Sequence, residues 1–347
     1  MNSLTEFSKI PIKNIYYMLC YAWGQLAEKD VVTVSGKDEK DIHQLLTRIL
    51  VVKLRSLIKR GFYREYRADR EEMSMLRGKI LFSESVHSFS FNRGKMHCEF
   101  EELSLNIPHN QIIKTTLYYL LMVKNLEKGL FDDVKHLYNY FENVDVIKLN
   151  PSVFSKFSLH RSNHHYQFVL NICQFLYESL LIHENGKGAS FTDFERDQKR
   201  MPRLYEEFVR NFYKMELLDY KVKRDRFYWD AAGDHLSYLP IMETDISLEN
   251  NHEKWIIDTK FYQDAVKGHH GSEKLVSGNL YQLFAYLNNY KDKNYPKKEL
   301  KGMLLYPLVG HELDLSYVIK GYPIKVCTVD LNREWPVIHN RLLEIIS

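Results

Sequence analysis

The chain has 347 residues and a mass of 41.4 kDa, which is enough for two domains of ordinary size or one large domain. With 45% hydrophobic and 27% charged residues, the composition is that of a globular protein and excludes an intrinsically disordered chain. The net charge of +3 is too small to indicate a nucleic-acid partner by itself, although 48 basic and 45 acidic side chains can still segregate into patches.

The sequence shows neither a membrane-spanning nor a secretory segment. No apolar run approaches the roughly 20 residues that are needed to cross a bilayer, and the amino terminus lacks the basic-then-apolar pattern of a signal peptide. We therefore expect a cytoplasmic protein. The cysteines are single and widely spaced, whereas zinc sites and small disulfide frameworks need tighter groups. Reduced, mostly buried thiols are expected at Cys20, Cys98, Cys173 and Cys327.

The first part of the chain alternates between helical and strand-like patterns. Apolar residues recur at three- and four-residue steps after Asn14, which predicts a helix capped by that side chain. Its aromatic side chains could belong to a docking surface or to the core, and the core is the commoner location. A second amphipathic helix runs from Ile42 to Leu57 and is closed by Gly61. The later elements are strands or hairpins over 63–100 and helices over about 110–126 and 166–182.

From about residue 200 the predicted elements follow the order of an α/β domain. These elements are a helix over 202–218, strands near 226–229, 238–248 and 254–261, a helix over 275–289, apolar runs at 303–306 and 324–329, and a last helix from Trp335. This order predicts a mixed central sheet with helices packed on it. The polar connections between about 150 and 195 are the expected boundary. We therefore predict two domains, residues 1–164 of mixed helix and strand and residues 165–347 of α/β type.

Two acidic residues and a lysine occupy corresponding faces of neighbouring predicted strands. In residues 241–248 apolar and polar side chains alternate, which places Asp245 on the polar face. In residues 254–261 the same alternation places Asp258 and Lys260 on one face. A short polar turn separates the two strands, so a hairpin would bring Asp245 close to Asp258 and Lys260 on one side of the sheet.

Two carboxylates and a lysine in this arrangement suit the hydrolysis of a phosphodiester. Carboxylates supply the hard oxygen ligands that Mg²⁺ prefers, and the metal polarises the phosphate and activates a water. The ammonium group can orient that water and offset the charge that builds on the phosphate. A solvated strand face or a surface salt bridge would explain the same residues. However, Asp258 follows the apolar run Trp255–Ile257, where an unpaired charge is costly to bury.

The same residues resemble the PD-(D/E)xK nuclease motif. Asp245 followed by Asp258-Thr259-Lys260 has the order of the motif, with a threonine where the motif usually has a proline. The resemblance implies a PD-(D/E)xK nuclease fold for the carboxy-terminal domain and a Mg²⁺-dependent endodeoxyribonuclease activity. In it, Asp245 and Asp258 bind the metal and Lys260 orients or activates water. The main-chain carbonyl of Thr259 is a candidate for a further metal ligand.

Three further residues gain a role from this resemblance. Gln282 and Tyr286 resemble the Q-x-x-x-Y motif of RecB-type members and lie on one face of the predicted helix at a four-residue step. Glu206 stands where the superfamily often has an acidic residue on its first helix, although an exposed position would also explain it. The resemblance implies that Gln282 and Tyr286 support the site or the DNA, and Glu206 is a candidate for the same site.

The whole chain resembles McrC, the nuclease subunit of McrBC modification-dependent restriction systems. The segment from Ile10 to Trp23 is the most specific match. Further segments continue it at similar spacing: residues 77–80, 193–196, 242–246, 258–262, 279–283 and 334–336. The resemblance implies a type IV antiviral restriction complex whose partner is an McrB-like AAA+ GTPase hexamer. It also implies that residues 1–164 dock on this ring and stimulate its GTPase, and that the chain cuts double-stranded DNA carrying modified cytosine.

Several features leave alternatives open. The chain lacks the sequence G-x-x-x-x-G-K-[ST], so a nucleotide-driven motor would be a separate chain. Basic residues at 221–226 could contact phosphates or form a solvated face. The histidine pairs at 164–165 and 269–270 have no companions at ligand spacing, so we expect no metal there. The alternatives in function are a non-cleaving adaptor that activates the motor and a nuclease that acts alone. The intact set of two aspartates and a lysine argues against the adaptor.

Overall fold

The structure is a computed structural model that describes residues 10–30, 41–156, 163–182, 188–194, 197–261, 266–269, 272–290, 298–309 and 312–346. Its α-helices are α1 (Ile12–Ala22), α2 (Ile42–Arg60), α3 (Phe82–His87), α4 (Pro108–Leu120), α5 (Lys128–Asn139), α6 (Pro151–Lys156), α7 (Gln167–Ser179), α8 (Arg200–Glu216), α9 (Ser277–Asn289) and α10 (Trp335–Ile346). Its strands are β1 (Glu65–Met73), β2 (Lys79–Ile80), β3 (Met96–Ser104), β4 (Leu180–Ile182), β5 (Ala189–Phe191), β6 (Lys221–Lys223), β7 (Arg226–Phe227), β8 (Met242–Glu243), β9 (Ile246–Glu249), β10 (Glu253–Thr259), β11 (Val266–His269), β12 (Ser272–Leu275), β13 (Glu299–Pro307), β14 (Asp314–Ile319) and β15 (Tyr322–Val329).

Two compact units divide the chain. Unit 1 comprises the described residues within 1–42 and 193–347, and unit 2 comprises those within 43–192. The expected boundary between residues 164 and 165 does not coincide with this division. Helix α7 belongs to unit 2, because it packs on α4. Helix α1 belongs to unit 1, because it packs on α8.

Helix α1 is held in unit 1 by aromatic side chains. The ring of Tyr21 stacks on Trp335 with 5.6 Å between the centroids, and it lies 5.3 Å from the ring of Phe212. The Tyr21 hydroxyl donates a hydrogen bond of 2.7 Å to Glu216 Oε1. Tyr16 and Tyr21 are both buried. For these two residues the structure confirms a place in the core, which is the commoner location for such aromatic side chains.

The predicted capping role of Asn14 is wrong. Helix α1 begins at Ile12, directly after Pro11, so Asn14 lies inside the helix. Its buried side chain donates hydrogen bonds to the main-chain carbonyls of Leu331 at 2.7 Å and Arg333 at 2.9 Å. The asparagine therefore ties α1 to the segment before α10. A local sequence pattern cannot indicate such a contact, because the two segments are more than 300 residues apart.

A six-stranded mixed sheet forms the centre of unit 1, in the order β14-β15-β13-β10-β9-β6. Strand β13 runs parallel to both β10 and β15, whereas β9 runs antiparallel to β10 and β14 runs antiparallel to β15. Strands β10 and β13 are almost entirely buried, as expected for parallel strands that are covered on both faces. The predicted α/β architecture with a mixed sheet is confirmed for this part of the chain.

Helix α9 covers one face of this sheet. Leu283 and Leu287 on the helix are fully buried in a cluster that includes Ile256 of β10 and Leu304 of β13. Gly302 of β13 makes the close approach possible. A Cβ atom added at Gly302 would lie 2.8 Å from Leu287 Cδ1 and 3.2 Å from Leu283 Cδ2. The absent side chain therefore sets the distance between helix and strand, and with it the position of α9.

Replacing Gly302 with alanine is expected to destabilise the protein by about 1–3 kcal/mol, because the added methyl group overpacks a filled core. The measurement is the free energy of unfolding in urea. Gly278→Ala is the matched control, since no atom of the described residues lies within 4 Å of a Cβ built there. Gly278 lies in the first turn of α9, so alanine should be neutral or slightly stabilising. Equal effects of the two substitutions would contradict this account of the packing.

Unit 2 combines a small antiparallel sheet with packed helices. Strands β1 and β3 pair from Glu65 opposite Ser104 to Met73 opposite Met96, and β2 pairs with β3. Most side chains of β1 are exposed, so the sheet covers little core. Helix α4 packs against α5 and α7, and their buried apolar side chains form the interior of this unit. The predicted helices are confirmed as α4 and α7, and strands β1 and β3 are present within the region predicted as strands or hairpins. Residues 82–87 of that region form helix α3 instead.

Two expectations from composition can be compared with the structure. The cysteines are free and buried at Cys20, Cys98, Cys173 and Cys327, which confirms the predicted reduced and buried thiols. In the described parts of the chain, no helix combines the length and the apolar character that crossing a membrane requires.

Candidate active site

The three residues that the sequence singled out lie together where β9 and β10 separate. Strand β9 pairs with β10 as far as Ile246, which is opposite Ile257. Immediately before Ile246 the chain bends at Asp245 instead of continuing the ladder. This bend leaves Asp245 beside the carboxyl end of β10, where Asp258 and Lys260 lie. The predicted hairpin and the predicted proximity of the three side chains are both present. The predicted continuous strand over 238–248 is wrong, because β8 ends at Glu243 and β9 begins at Ile246, so Asp245 lies in a bend rather than on a strand face.

The side chain of Asp245 takes the place of the missing strand partner. Its Oδ2 atom accepts a hydrogen bond of 2.8 Å from the main-chain N–H of Thr259 and another of 3.0 Å from the Thr259 hydroxyl. In a continued antiparallel ladder that N–H could pair with a main-chain carbonyl, and a buried N–H needs an acceptor. Sequence reasoning considered only the Thr259 carbonyl. The two donors on the same residue were missed, because alternation alone predicts that Thr259 faces away from Asp258 and Lys260.

Asp258 is the most deeply buried carboxylate of the site. It lies in β10 and is 1% exposed. Burial raises the pKa of Asp258 to about 7, because the charged form loses its hydration; the Lys260 ammonium lowers this pKa and the negative charge of Asp245 raises it further. The apolar run before this residue therefore places it in the core. Carboxylates with strongly perturbed pKa values occur most often at functional sites.

One oxygen of Asp258 accepts no hydrogen bond of suitable geometry from the part of the chain that the structure describes. Oδ1 accepts a hydrogen bond of 3.0 Å from Lys260 Nζ. Oδ2 forms an ion pair with the same nitrogen at 2.8 Å, yet it is buried and accepts no hydrogen bond of suitable geometry from the residues described. A buried acceptor without a donor costs about 1–3 kcal/mol and is uncommon. This oxygen is therefore a candidate ligand for a cation.

Lys260 is held from its other side by α9. Its Nζ donates a hydrogen bond of 3.0 Å to Gln282 Oε1, and Gln282 Nε2 donates one of 2.9 Å to Tyr286 Oη. The four-residue step on the helix gives the two side chains a common face. The structure thus brings Gln282 and Tyr286 to the predicted site, in contact with the lysine rather than with a carboxylate.

Glu206 reaches the site through an arginine. Arg210 lies one turn further along α8 and donates a hydrogen bond of 3.0 Å to Glu206 Oε1 and a longer one of 3.5 Å to the main-chain carbonyl of Asp245. Arg224 forms an ion pair with the same carboxylate oxygen of Glu206. Glu206 is therefore linked to the bend at Asp245 through Arg210. Sequence reasoning missed Arg210, although its four-residue spacing from Glu206 on a helix was a visible signal.

Three of the basic residues before the site, Lys223, Arg224 and Arg226, are paired with acidic neighbours. Lys223 Nζ lies 2.6 Å from Asp225 Oδ1, and Arg226 Nε lies 3.0 Å from Glu243 Oε2. Arg224 also lies within 3.7 Å of Glu243. These ion pairs give the cluster a role within the fold. Contact with phosphates stays a prediction for these residues.

The chemistry of the donor set fits Mg²⁺. The site offers two carboxylates, and Asp258 contributes a buried oxygen that lacks a hydrogen-bond donor among the residues described. Mg²⁺ commonly uses one or two protein carboxylates and completes its octahedral shell with waters and substrate phosphates. A group of three or more histidine, cysteine or acidic side chains that could hold a metal is absent from the described part of the chain.

Some residues named in the sequence analysis lie outside the described part of the chain. They are residues 195–196, Tyr262 and His270.

Comparison with known proteins gives three findings. A family model described as "McrBC 5-methylcytosine restriction system component" matches residues 7–307. The chain is 34% identical over 341 residues to the type IV methyl-directed restriction enzyme EcoKMcrBC of Escherichia coli K12, with 97% of each chain covered. Its fold is similar to that of a chain in a half-complex from the tetradecameric assembly of Thermococcus gammatolerans McrB AAA+ hexamers with bound McrC. That likeness has a TM-score of 0.61 at 15% identity and covers 97% of this chain and 76% of the other.

Proposed function

This chain belongs to the family of McrBC 5-methylcytosine restriction system components, and from that membership we propose that it is the DNA-cleaving, McrC-type subunit of such a system. The resemblance to McrC in the sequence motifs is confirmed by the comparisons. The proposed activity is Mg²⁺-dependent hydrolysis of phosphodiester bonds in double-stranded DNA that carries modified cytosine. The proposed nuclease fold is of the PD-(D/E)xK type and is formed by unit 1.

The buried, unsatisfied carboxylate oxygen of Asp258 is the observation that carries this proposal. Asp258 has a pKa near 7, and one of its oxygens is paired with the Lys260 ammonium at 2.8 Å but accepts no hydrogen bond of suitable geometry from the residues described. With a second carboxylate within electrostatic range, such a buried carboxylate is costly to maintain for the fold alone. A cation at this position would offset that cost. Lys260 contacts Asp258, and Asp245 is close enough to shift its pKa, so two carboxylates and an ammonium group are available for metal-assisted phosphodiester hydrolysis.

Each residue of the site has a distinct proposed role. Asp245 and Asp258 would hold the metal. When bound, Mg²⁺ supplies positive charge that polarises the scissile phosphate and makes an attacking water more acidic. Lys260 would orient that water through its Nζ and offset negative charge on the phosphate oxygens. Gln282 and Tyr286 would keep the lysine side chain in place through their chain of hydrogen bonds.

A partner motor is the second part of the proposal. The structure with a similar fold contains McrC bound to McrB AAA+ hexamers, and we propose that an McrB-like GTPase ring binds this chain and that unit 2 takes part in the docking. Unit 2 exposes large apolar side chains within a short stretch of sequence, which favours a protein interface. They are Met75, Leu76, Phe82, Val86, Phe89 and Phe91.

The test of the function is cleavage of methylated and unmethylated plasmid by the purified chain with Mg²⁺ and GTP, with and without its candidate motor. Cutting that requires the motor, GTP and methylation supports the proposal. Cutting without the motor would instead indicate a nuclease that acts alone. No cutting under any condition, together with normal stimulation of GTP hydrolysis, would indicate the adaptor alternative.

Replacing Lys260 with methionine is expected to reduce the rate of cleavage by about 10²–10³-fold, the usual effect of removing one electrostatic stabiliser from a site of this kind. Methionine retains much of the length of the side chain but removes the charge and all donors. The measurement is the initial rate of linearisation of methylated plasmid at saturating motor and GTP. Lys214→Met changes an exposed lysine of α8 that has no assigned role and should cut at the wild-type rate. A similar rate for both variants would remove Lys260 from the mechanism.

A further inference from the structure

We propose that Thr259 is a positioning residue that orients Asp245, so that Asp245 presents a single carboxylate oxygen, Oδ1, to the metal. Thr259 is the variable position of the D-x-K segment and would ordinarily be regarded as a spacer between Asp258 and Lys260. The structure gives it two contacts with the carboxylate of Asp245. The inference rests on the proposed function, because it concerns how the proposed metal site is held.

The two hydrogen bonds fix the orientation of the carboxylate. Both end on Oδ2 of Asp245, one from the Thr259 N–H at 2.8 Å and one from the Thr259 hydroxyl at 3.0 Å. Two donors on one oxygen restrict rotation of the carboxylate and occupy lone pairs that a metal would need. Oδ1 accepts no hydrogen bond from any residue that the structure describes. The carboxylate is thus prepared to bind through one oxygen only.

The location of Thr259 makes these bonds difficult for water to replace. Thr259 is 9% exposed and ends β10. Because the chain bends at Asp245, the strand ladder does not continue beside Thr259. The Asp245 carboxylate accepts the hydrogen bonds of the Thr259 N–H and hydroxyl instead. Partners that hold metal-binding side chains in this way usually contribute 10–100-fold to metal affinity. Loss of the hydroxyl should therefore weaken metal binding even though it is no ligand itself.

Two conservative substitutions test the role of the Thr259 hydroxyl. Valine has the same β-branched shape as threonine and suits a strand position at least as well, so Thr259→Val should preserve the backbone and remove one of the two hydrogen bonds. Thr259→Ser keeps the hydroxyl and should restore binding. Thr328 provides a matched comparison. It is also a buried threonine near the end of a strand of the same sheet, and its hydroxyl accepts a hydrogen bond of 2.8 Å from the Leu313 N–H.

The experiment measures binding of Mn²⁺ to the purified full chain, without DNA, nucleotide or partner, from the electron paramagnetic resonance signal of the free ion. Mn²⁺ takes the same oxygen ligands as Mg²⁺. The partner GTPase and its nucleotide are left out because they would bind Mn²⁺ as well. Melting temperatures without metal are measured in parallel. We expect about tenfold weaker binding for Thr259→Val, near wild-type binding for Thr259→Ser and Thr328→Val, and none for Asp245→Asn. Thr259→Ala serves as a second variant if the valine chain does not fold.

The outcomes separate this inference from the proposed function. Binding by Thr259→Val as tight as wild type, while Asp245→Asn loses it, would overturn the positioning role and leave the metal site intact. Equal weakening in Thr259→Val and Thr259→Ser would also overturn it, because the hydroxyl would then be irrelevant. Failure of the wild-type chain to bind Mn²⁺ more tightly than Asp245→Asn would contradict the proposed metal site itself, and this inference with it.

Discussion

Replacing Asp258 with alanine is expected to reduce DNA cleavage by at least about a thousandfold while leaving stimulation of the partner's GTP hydrolysis near the wild-type level. A metal ligand contributes several kcal/mol to the stabilisation of charge in the transition state, and about 4 kcal/mol corresponds to a thousandfold in rate. The fold should tolerate the change, because alanine removes a buried carboxylate whose ionisation is already disfavoured. The measurement is the initial rate of cleavage of methylated plasmid, with GTP hydrolysis assayed in the same reactions.

Two comparisons make the Asp258 result interpretable. Asp234→Ala removes an exposed carboxylate of the same unit and should cut at the wild-type rate. Asp258→Asn keeps the shape of the side chain but removes its charge, and it should be nearly as inactive as the alanine variant. Undiminished cutting by Asp258→Ala would show that the site is assigned to the wrong residues. Loss of both cutting and GTPase stimulation would indicate a damaged fold or docking surface rather than a missing ligand.

Replacing Lys254 with methionine is expected to destabilise unit 1 by about 3 kcal/mol, the largest effect on stability that we predict for a single substitution. Lys254 is only 2% exposed in its side chain, and its Nζ donates a hydrogen bond of 2.5 Å to Asp225 Oδ2. The same nitrogen lies 3.4 Å from Glu249 Oε2 and 4.2 Å from the centroid of the Tyr290 ring. Removing the ammonium leaves the carboxylate of Asp225 buried without its closest partner. The free energy of unfolding in urea gives the magnitude.

The control for Lys254 is another lysine of the same sheet. Lys301 pairs with Glu253 and Glu299 but is 21% exposed in its side chain, so Lys301→Met should cost less than about 1 kcal/mol. The double variant Lys254→Met with Asp225→Asn should be more stable than Lys254→Met alone, because no uncompensated buried charge is left. If the double variant were the less stable of the two, the ion pair would not be the source of the effect.

The same ion pair predicts a loss of stability in acid. Burial raises the pKa of Asp225, but hydrogen bonds and charges from Lys223 and Lys254 outweigh it and hold this pKa below its ordinary value. A carboxylate with a depressed folded-state pKa contributes stability above its unfolded pKa of about 4. That contribution is lost as the pH falls through the folded-state pKa. Asp225→Asn should therefore lose less stability than the wild type between pH 5 and pH 3, in the same urea titrations.

The sequence predicted which side chains meet at the candidate site better than it predicted the contacts that hold them there. Alternation placed Asp258 and Lys260 on one face, and a short turn between two strands placed Asp245 nearby, because both features depend on contacts that are local in the chain. The donors to Asp245 and the role of Arg210 were not predicted. These contacts depend on the bend where β9 separates from β10 and on the packing of α8 beside it. The alternation of polar and apolar residues along a strand predicts neither the bend nor the packing.

For the fold as well, features that depend on local sequence patterns were predicted, and features that depend on contacts distant in sequence were not. Apolar periodicity predicted α2, α8, α9 and the buried strand β10, whose side chains face packed layers. Strand β14 was not predicted, because most of its side chains are exposed and it has little apolar pattern to detect. The grouping of α1 with the carboxy-terminal part was also missed. It depends on rings and an asparagine that meet partners about 190 to 320 residues away in sequence.

Because unit 1 is formed from two separated stretches of sequence, its assembly during synthesis is interrupted. Helix α1 leaves the ribosome first, but α8 and α10 are translated only after all of residues 43–192. At elongation rates of about 5–20 residues per second, this wait lasts on the order of ten seconds or more. Unit 2 is continuous in sequence, so all of its residues have been translated before α8 is made. The entropic cost of closing a long loop grows only slowly with the length of the loop. The insertion of residues 43–192 therefore delays the assembly of unit 1 but costs the finished unit little stability.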